Sequence, residues 1–152
     1  MKFSAKIVIV TSLCLLIGCV ENLTADDAAA YRYLARGDTA QNDDKLIQII
    51  SNQSSFDQVF YQLLNRSSTP ETINFAEYQV LLVMAGAQQN TLKLEVEQFS
   101  GQPDQVHIIL NSEYAGANCP APAVVRQPWM LVVFPRVAQP LAIQEQIKVT
   151  KC

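Results

Sequence analysis

Beyond residue 45 the chain consists mainly of short apolar segments separated by turn-forming residues. Residues 91–97 alternate strictly, with Leu92, Leu94 and Val96 on one face and charged side chains on the other. This pattern predicts a half-exposed antiparallel strand. Segments 78–85 and 129–134 are apolar on both faces, which predicts strands covered on both sides. Further strands are predicted from alternation or isoleucine content at 45–50, 105–110 and 141–149.

One segment has helical periodicity instead. Its apolar residues are spaced i, i+3, i+4, i+7 and i+8, which places them on one helical face: Phe56, Val59, Phe60, Leu63 and Leu64. Ser54, with Asp57 three residues later, resembles a capping box. We therefore predict one helix over 55–64 whose aromatic face lies in the core.

These elements predict an α+β fold, in which one helix packs on an antiparallel β-sheet of five to six strands. Residues 31–152 are expected to form a single β-rich domain, and residues 24–36 fit either a helix or a strand. Arg36-Gly37-Asp38 is predicted to be a turn, because glycine tolerates an unusual φ. Residues 86–90 are predicted to be a hairpin loop, and Glu145 to mark an edge or a bulge in the last strand.

The first residues have the features of an export signal. Lys2 and Lys6 precede an apolar run over 7–17, which is too short to span a bilayer with comfort. Leu16-Ile17-Gly18-Cys19 resembles the lipobox of bacterial lipoproteins. The resemblance implies a signal peptide over 1–18, a diacylglycerol on Cys19 and a tether over 19–30. Val20, in place of aspartate, implies the outer membrane, facing the periplasm. The alternative is an ordinary secretory signal.

The formal charge argues against one class of binding partner, and the cysteine count predicts a disulfide. Removal of Lys2 and Lys6 with the signal changes the formal charge from −3 to −3 − 2 = −5. Because no Lys/Arg cluster stands out, a nucleic-acid partner is not expected. Export to an oxidising compartment leaves Cys119 and Cys152 as an even pair, which predicts a disulfide between them.

No pattern of catalytic residues stands out. The motifs H-E-x-x-H, G-x-S-x-G and C-x-x-C are absent from the sequence. The single histidine, His107, falls on the polar face of its strand, and its position favours a surface role. We therefore predict no enzyme activity, no cofactor and no metal site.

Several short motifs recur in an order known from one family. Leu34-Ala35-Arg36-Gly37-Asp38-Thr39 precedes a strand and a helix, Ile73-Asn74-Phe75 leads into the central strand, and a cysteine-containing loop precedes Gln127-Pro128-Trp129, whose strand ends at Phe134-Pro135. In this the chain resembles the PrcB-like family, named for a lipoprotein subunit of a protease complex, over about residues 33–145. It departs from that family at Asn90-Thr91-Leu92-Lys93, where the family carries Thr-Gly-Gly-Tyr.

The resemblance implies a non-catalytic accessory or protein-interaction module of the cell envelope, held to the membrane through the lipid on Cys19 and bound to an envelope protein partner. The family's glycine loop suggests a partner-binding loop formed by Gly86, Gln88, Gln89, Asn90 and Thr91. The alternative is an exported protease inhibitor that presents the same loop to an enzyme cleft.

Overall fold

A computed structural model describes residues 31–87, 90–120 and 124–152. It contains seven strands and one helical element. This confirms the predicted α+β class. In chain order the strands are β1 (Arg32–Gly37), β2 (Leu46–Ile50), β3 (Tyr78–Met84), β4 (Thr91–Gly101), β5 (Val106–Ala115), β6 (Trp129–Pro135) and β7 (Leu141–Thr150). Within the described residues, no helix is both long enough and apolar enough to cross a bilayer.

The helical element begins as α1 (Gln53–Asp57) and continues as a π-helical segment (Gln58–Leu63). Its N-cap is Asn52, whose side chain accepts a hydrogen bond from the backbone N–H of Ser55. The sequence-based assignment of the cap to Ser54 was therefore wrong. Four of the five residues of the predicted apolar face are buried, namely Phe56, Val59, Phe60 and Leu64, and the fifth, Leu63, is partly buried against the same core.

The seven strands form two sheets rather than the one sheet of five to six strands that the pattern suggested. The first sheet has the order β1-β6-β3-β2 and is antiparallel throughout. The second has the order β4-β5-β7, in which β4 and β5 are antiparallel and β5 and β7 run parallel. Because β6 lies between β5 and β7 in sequence but belongs to the first sheet, the chain has room for this parallel crossover.

The first sheet lies between the helix and the second sheet, so both of its faces are buried. One face packs Val80, Leu82 and Leu131 against Phe56 and Phe60 of the helical element. The other face packs against the second sheet through two sets of buried side chains: Leu81, Val83, Val132 and Phe134 from the first sheet, and Val96, Phe99, Val106, Ile108 and Leu110 from the second. This explains the prediction, now confirmed, that β3 and β6 are apolar on both faces.

Polar contacts join the first sheet to the second sheet along both sides of their packed faces. On one side Tyr33 Oη accepts a hydrogen bond from the backbone N–H of Val96 at 2.9 Å, beside the register shift in β4. On the other side Lys45 forms an ion pair with Glu145 of β7, whose second oxygen accepts a hydrogen bond from Ser112 Oγ at 2.6 Å. Burial alone would raise the pKa of Glu145, but the hydrogen bonds from Lys45 and Ser112 outweigh it and hold the pKa below its ordinary value.

The structure joins Cys119 and Cys152 in a disulfide, with Cα atoms 5.1 Å apart and a sequence separation of 33. Cys152 follows β7 by two residues, and Cys119 lies in the loop after β5. The bond therefore fixes the end of an edge strand to the segment that follows its neighbour.

Several local predictions need correction. The segment 86–90 is not a hairpin loop, because the strands that it connects, β3 and β4, belong to different sheets. Gly37 is the last residue of β1 and not a turn glycine; among the described glycines only Gly86 has a positive φ. Two predictions that left alternatives open are resolved: residues 32–36 belong to a strand, and Glu145 lies in an edge strand, as one alternative predicted, without the register shift of a bulge.

Candidate functional site

A cleft of about 340 Å³ lies where the C-terminal end of β1 and the first residues of β4 and β6 meet. It is lined by residues from three separate stretches: Arg36, Gly37 and Asp38; Thr91, Leu92, Lys93 and Leu94; Arg126, Pro128 and Trp129. We call it the end cleft. Two of these stretches, at 36–38 and 128–129, carry motifs on which the PrcB-like resemblance rests, and the third is where the chain departs from it.

The floor of the end cleft depends on a glycine. Gly37 is paired with Trp129 across β1 and β6, and a Cβ on Gly37 would lie 2.6 Å from Trp129 Cζ2. Only glycine therefore lets the indole lie flat against β1 at this point. The indole is buried, and its Nε1 donates a hydrogen bond of 2.7 Å to the carbonyl oxygen of Thr39.

Cations dominate the charged groups of the cleft. Arg36, Lys93 and Arg126 line it, against one acid, Asp38. The guanidinium of Arg36 lies 3.5 Å from the centroid of the Tyr33 ring, a cation–π contact that limits the side chain's freedom. In a chain of formal charge −3, this is a local excess of positive charge.

Lys93 is partly neutralised by a neighbour. Its ammonium lies 2.6 Å from Glu95 Oε1, and this hydrogen bond raises the pKa of Lys93 and lowers the pKa of Glu95. Both groups are close to solvent, so the pair contributes little to stability. Arg36 and Arg126 are therefore the cations of the cleft best able to bind a carboxylate, which a guanidinium can do through two parallel hydrogen bonds.

Thr91 supplies an unsatisfied polar group. Its side chain is 6% exposed, and its hydroxyl has no hydrogen-bond partner among the described residues. A buried hydroxyl without a partner is costly, and such groups in native proteins often contact a ligand or water.

The segment 38–45, which begins at the cleft residue Asp38, is fixed by hydrogen bonds to neighbouring segments. Gln127 accepts a hydrogen bond from the backbone N–H of Ala40 at 3.0 Å and donates another to Asp43. The backbone N–H of Ala87 donates to the carbonyl oxygen of Asp43 at 2.9 Å. The cleft is consequently built on fixed backbone, as a preformed binding site requires.

Exposed apolar side chains surround this end of the molecule. Seven large hydrophobic residues are exposed, of the residues that the structure describes, and five belong to strand ends or loops at the same end as the cleft: Leu92, Val124, Val125, Ile147 and Val149. Apolar groups beside a charged cleft are typical of protein-binding surfaces.

The predicted partner-binding loop is only partly available. Gly86 and Thr91 are buried, and Gly86 lies against the backbone of Asp43. Asn90 is exposed, although its amide donates a hydrogen bond of 3.0 Å to the carbonyl oxygen of Ala115. Gln88 and Gln89 lie outside the described residues, as do Cys19, the signal over 1–18 and the tether over 19–30. The loop therefore begins and ends in packed structure beside the end cleft.

The remaining candidates do not assemble into a reactive centre. His107 lies in β5 with its Nε2 2.8 Å from the side-chain nitrogen of Gln105. Ser100 lies opposite it in β4, and the Ser100 hydroxyl oxygen accepts a hydrogen bond of 3.2 Å from the Gln98 amide. Within the described ranges, no group of three or more His, Cys, Asp or Glu residues is placed to hold a metal ion. The chemistry that the end cleft offers is recognition of an anionic or polar group.

Sequence reasoning missed Arg36, Arg126 and Trp129 as neighbours. Arg36 lies 126 − 36 = 90 residues before Arg126 in the sequence, and the pairing of β1 with β6 brings Arg36 to the other two residues. No local pattern in the sequence signals this contact, because only the pairing of β1 with β6 creates it.

Comparisons of the chain with protein-family models, with curated proteins and with solved structures found no match. The PrcB-like assignment accordingly remains a prediction from the motifs themselves.

Proposed function

We propose that this protein is a lipid-anchored, non-catalytic interaction module of the bacterial envelope, and that the end cleft is its docking surface. The lipobox-like sequence Leu16-Ile17-Gly18-Cys19 supports the anchor. The carrying observation for docking is the end cleft itself, which is lined by three cations and by Trp129.

The position of the cleft suits an anchored protein. β1 begins at Arg32, which is paired with Val133 near the end of β6, and it finishes at Gly37 beside the cleft. A six-residue strand spans about 20 Å. A tether that enters at Tyr31 therefore joins the domain at the end away from the cleft, and this leaves the cleft free to face a partner.

The charges of the cleft indicate the chemistry of that partner. Arg36 and Arg126 would bind a carboxylate, while exposed Leu92 and Val125 offer apolar contacts at the rim. We therefore expect the docking segment to present an acidic residue flanked by apolar ones.

Photo-crosslinking in cells tests this proposal. A photoreactive amino acid replaces Leu92 in the full-length lipidated protein, and the matched control carries it at Glu97, an exposed position on β4 away from the cleft. We expect one dominant crosslinked envelope protein from position 92 and none from position 97. Arg126→Gln should reduce the yield at least fivefold, whereas Arg136→Gln, remote from the cleft, should not.

Equal crosslinking from both positions, or none from position 92, would count against docking at the cleft. The anchor is tested separately by mass spectrometry of the mature protein, which should begin at an acylated Cys19. An unmodified N-terminus would remove the anchor from the proposal.

An inhibition assay tests the alternative function, that of a protease inhibitor. Purified protein is added to serine and cysteine proteases at micromolar concentration. Because Gly86 and Thr91 are buried, we expect no inhibition. Inhibition abolished by changes at Asn90 would replace the docking proposal with the inhibitor one.

A further inference from the structure

The second sheet ends in a long and regular free edge. Among the strands that the structure describes, β7 is hydrogen-bonded only to β5, and its ten residues keep an unbroken register from Leu141 to Thr150. Its side chains are far less buried than those of β5. An edge of this kind presents unpaired backbone groups to any extended chain.

The pairing with β5 shows which backbone groups are free. Val106 N donates to the carbonyl oxygen of Pro140, and Gly116 N donates to that of Thr150. In a parallel ladder alternate residues face the neighbouring strand. The even-numbered residues of β7 therefore bond to β5, and the N–H and C=O groups of the odd-numbered ones point away from the sheet: Leu141, Ile143, Glu145, Ile147 and Val149.

The other three edges are less suited to pairing. β1 and β4 contain register shifts, which bend an edge, and a Tyr33 hydroxyl already occupies the N–H of Val96 in β4. β2 has five residues, half the length of β7. Short and irregular edges resist the addition of another strand.

Within β7 the free stretch is its C-terminal half. Glu145 points inward and is paired with Lys45, which protects the middle of the strand. Beyond it Ile147 and Val149 are 61% and 64% exposed, and nothing among the described residues covers them. The disulfide holds the end of this stretch in place, so the stretch loses little conformational freedom on binding.

We propose that the free edge of β7 over 147–150 binds an extended segment of the envelope partner by strand addition, forming a fourth strand on the second sheet. The segment carries apolar residues at alternate positions, against Ile147 and Val149, and polar or acidic residues between them, beside Lys148. This proposal rests on the proposed function, because it gives the docking partner a second contact at the same end of the molecule.

A second copy of the chain fits this edge poorly. Two copies of β7 would pair about a two-fold axis perpendicular to the strands, which turns one copy end over end. Their two tethers would then leave in opposite directions. Residues 20–30 span at most about 35–40 Å, so lipids in one membrane leaflet would favour a different partner.

The test uses a photoreactive amino acid at Gln146 of the full-length lipidated protein in its own envelope. Ile147→Pro removes an outward-facing N–H and leaves the bonds to β5, whereas Ile147→Thr keeps that N–H and a β-branched side chain as the matched control. Val149→Pro is a second blocking variant nearer the strand end. Thermal unfolding and an intact disulfide confirm that each variant is folded.

We expect a crosslink that falls at least fivefold in the folded proline variants and remains in Ile147→Thr. The crosslinked peptide, once sequenced and synthesised, should slow hydrogen exchange at the amides of Ile147 and Val149, while that of Lys148 is already protected. A crosslink that survives both proline variants, or one that joins two copies of the chain, overturns the proposal.

The two proposals fail separately. A crosslink from position 92 without one from position 146 overturns strand addition and leaves docking at the end cleft in place. No crosslink from either position overturns both.

Discussion

The backbone of Gly37 lies directly against the indole of Trp129, with no room for a methyl group between them. The two residues are also paired in the ladder between β1 and β6. This contact joins the outermost strand of the first sheet to the floor of the end cleft, so it affects both stability and the shape of the site.

Gly37→Ala should therefore destabilise the protein. Placing a Cβ 2.6 Å from Trp129 Cζ2 forces the indole or β1 to move, and overpacking of this kind costs about 1–3 kcal/mol. We expect Tm to fall on the order of 5–10 °C. In the Trp129→Phe background, where the smaller ring leaves space, the added cost of Gly37→Ala should be smaller. Equal costs in both backgrounds would contradict the contact.

The two candidate caps of the helix can be separated by substitution. Asn52→Ala removes the side chain that accepts from Ser55 N–H, and we expect a loss of about 1 kcal/mol in the free energy of unfolding. Ser54→Ala should change it by less than about 0.5 kcal/mol. Urea denaturation measures both. A larger effect for Ser54→Ala would restore the capping box predicted from the sequence.

We expect the ion pair between Lys45 and Glu145 to make the stability of the fold depend on pH in acid. Because the folded-state pKa of Glu145 lies below its ordinary value of 4.5, the carboxylate stabilises the fold fully above that pH. This stability is lost as the pH falls through the lowered pKa. Glu145→Gln should reduce the slope of stability against pH below about 4.5.

Stability is measured by urea unfolding between pH 7 and pH 3. Glu97→Gln, at an exposed position on β4, is the control and should keep the wild-type slope. An identical pH dependence for wild type and Glu145→Gln would show that the ion pair is not formed in solution.

Reduction of the disulfide should weaken the whole domain. A bond that closes 33 residues contributes about 3–4 kcal/mol by restricting the unfolded chain. Cys119→Ser together with Cys152→Ser should lower the free energy of unfolding by about that amount. Hydrogen exchange should rise most at Lys148 and Thr150, next to the released end. Unchanged stability after reduction would argue against the bond.

Periodicity was a good guide to local structure in this chain. The apolar face at Phe56 and Phe60 and the doubly covered strands β3 and β6 were predicted correctly. Each of these follows from burial on one or two faces of a single element, which sequence records directly.

Periodicity could not predict how the strands are arranged in sheets. Nothing in the residues around Gly86 distinguishes a hairpin from a connection between two sheets, since both need a sharp change of direction there. The parallel pairing of β5 with β7 depends on where β6 inserts, which is a tertiary choice. The end cleft was missed for the same reason, because Arg36 and Arg126 meet only through long-range pairing.

The position of β6 has a consequence for how the polypeptide reaches its native state. Within the described part of the chain, β1 pairs only with β6, whose first residue is Trp129, so β1 has no partner strand until most of the molecule has been synthesised. β7, the final strand, must then return to complete the other sheet. Contacts this distant in sequence are formed slowly. Under the export proposed above, this delay would be useful, because a polypeptide that stays unfolded until its last segments are made can be threaded through a translocation channel.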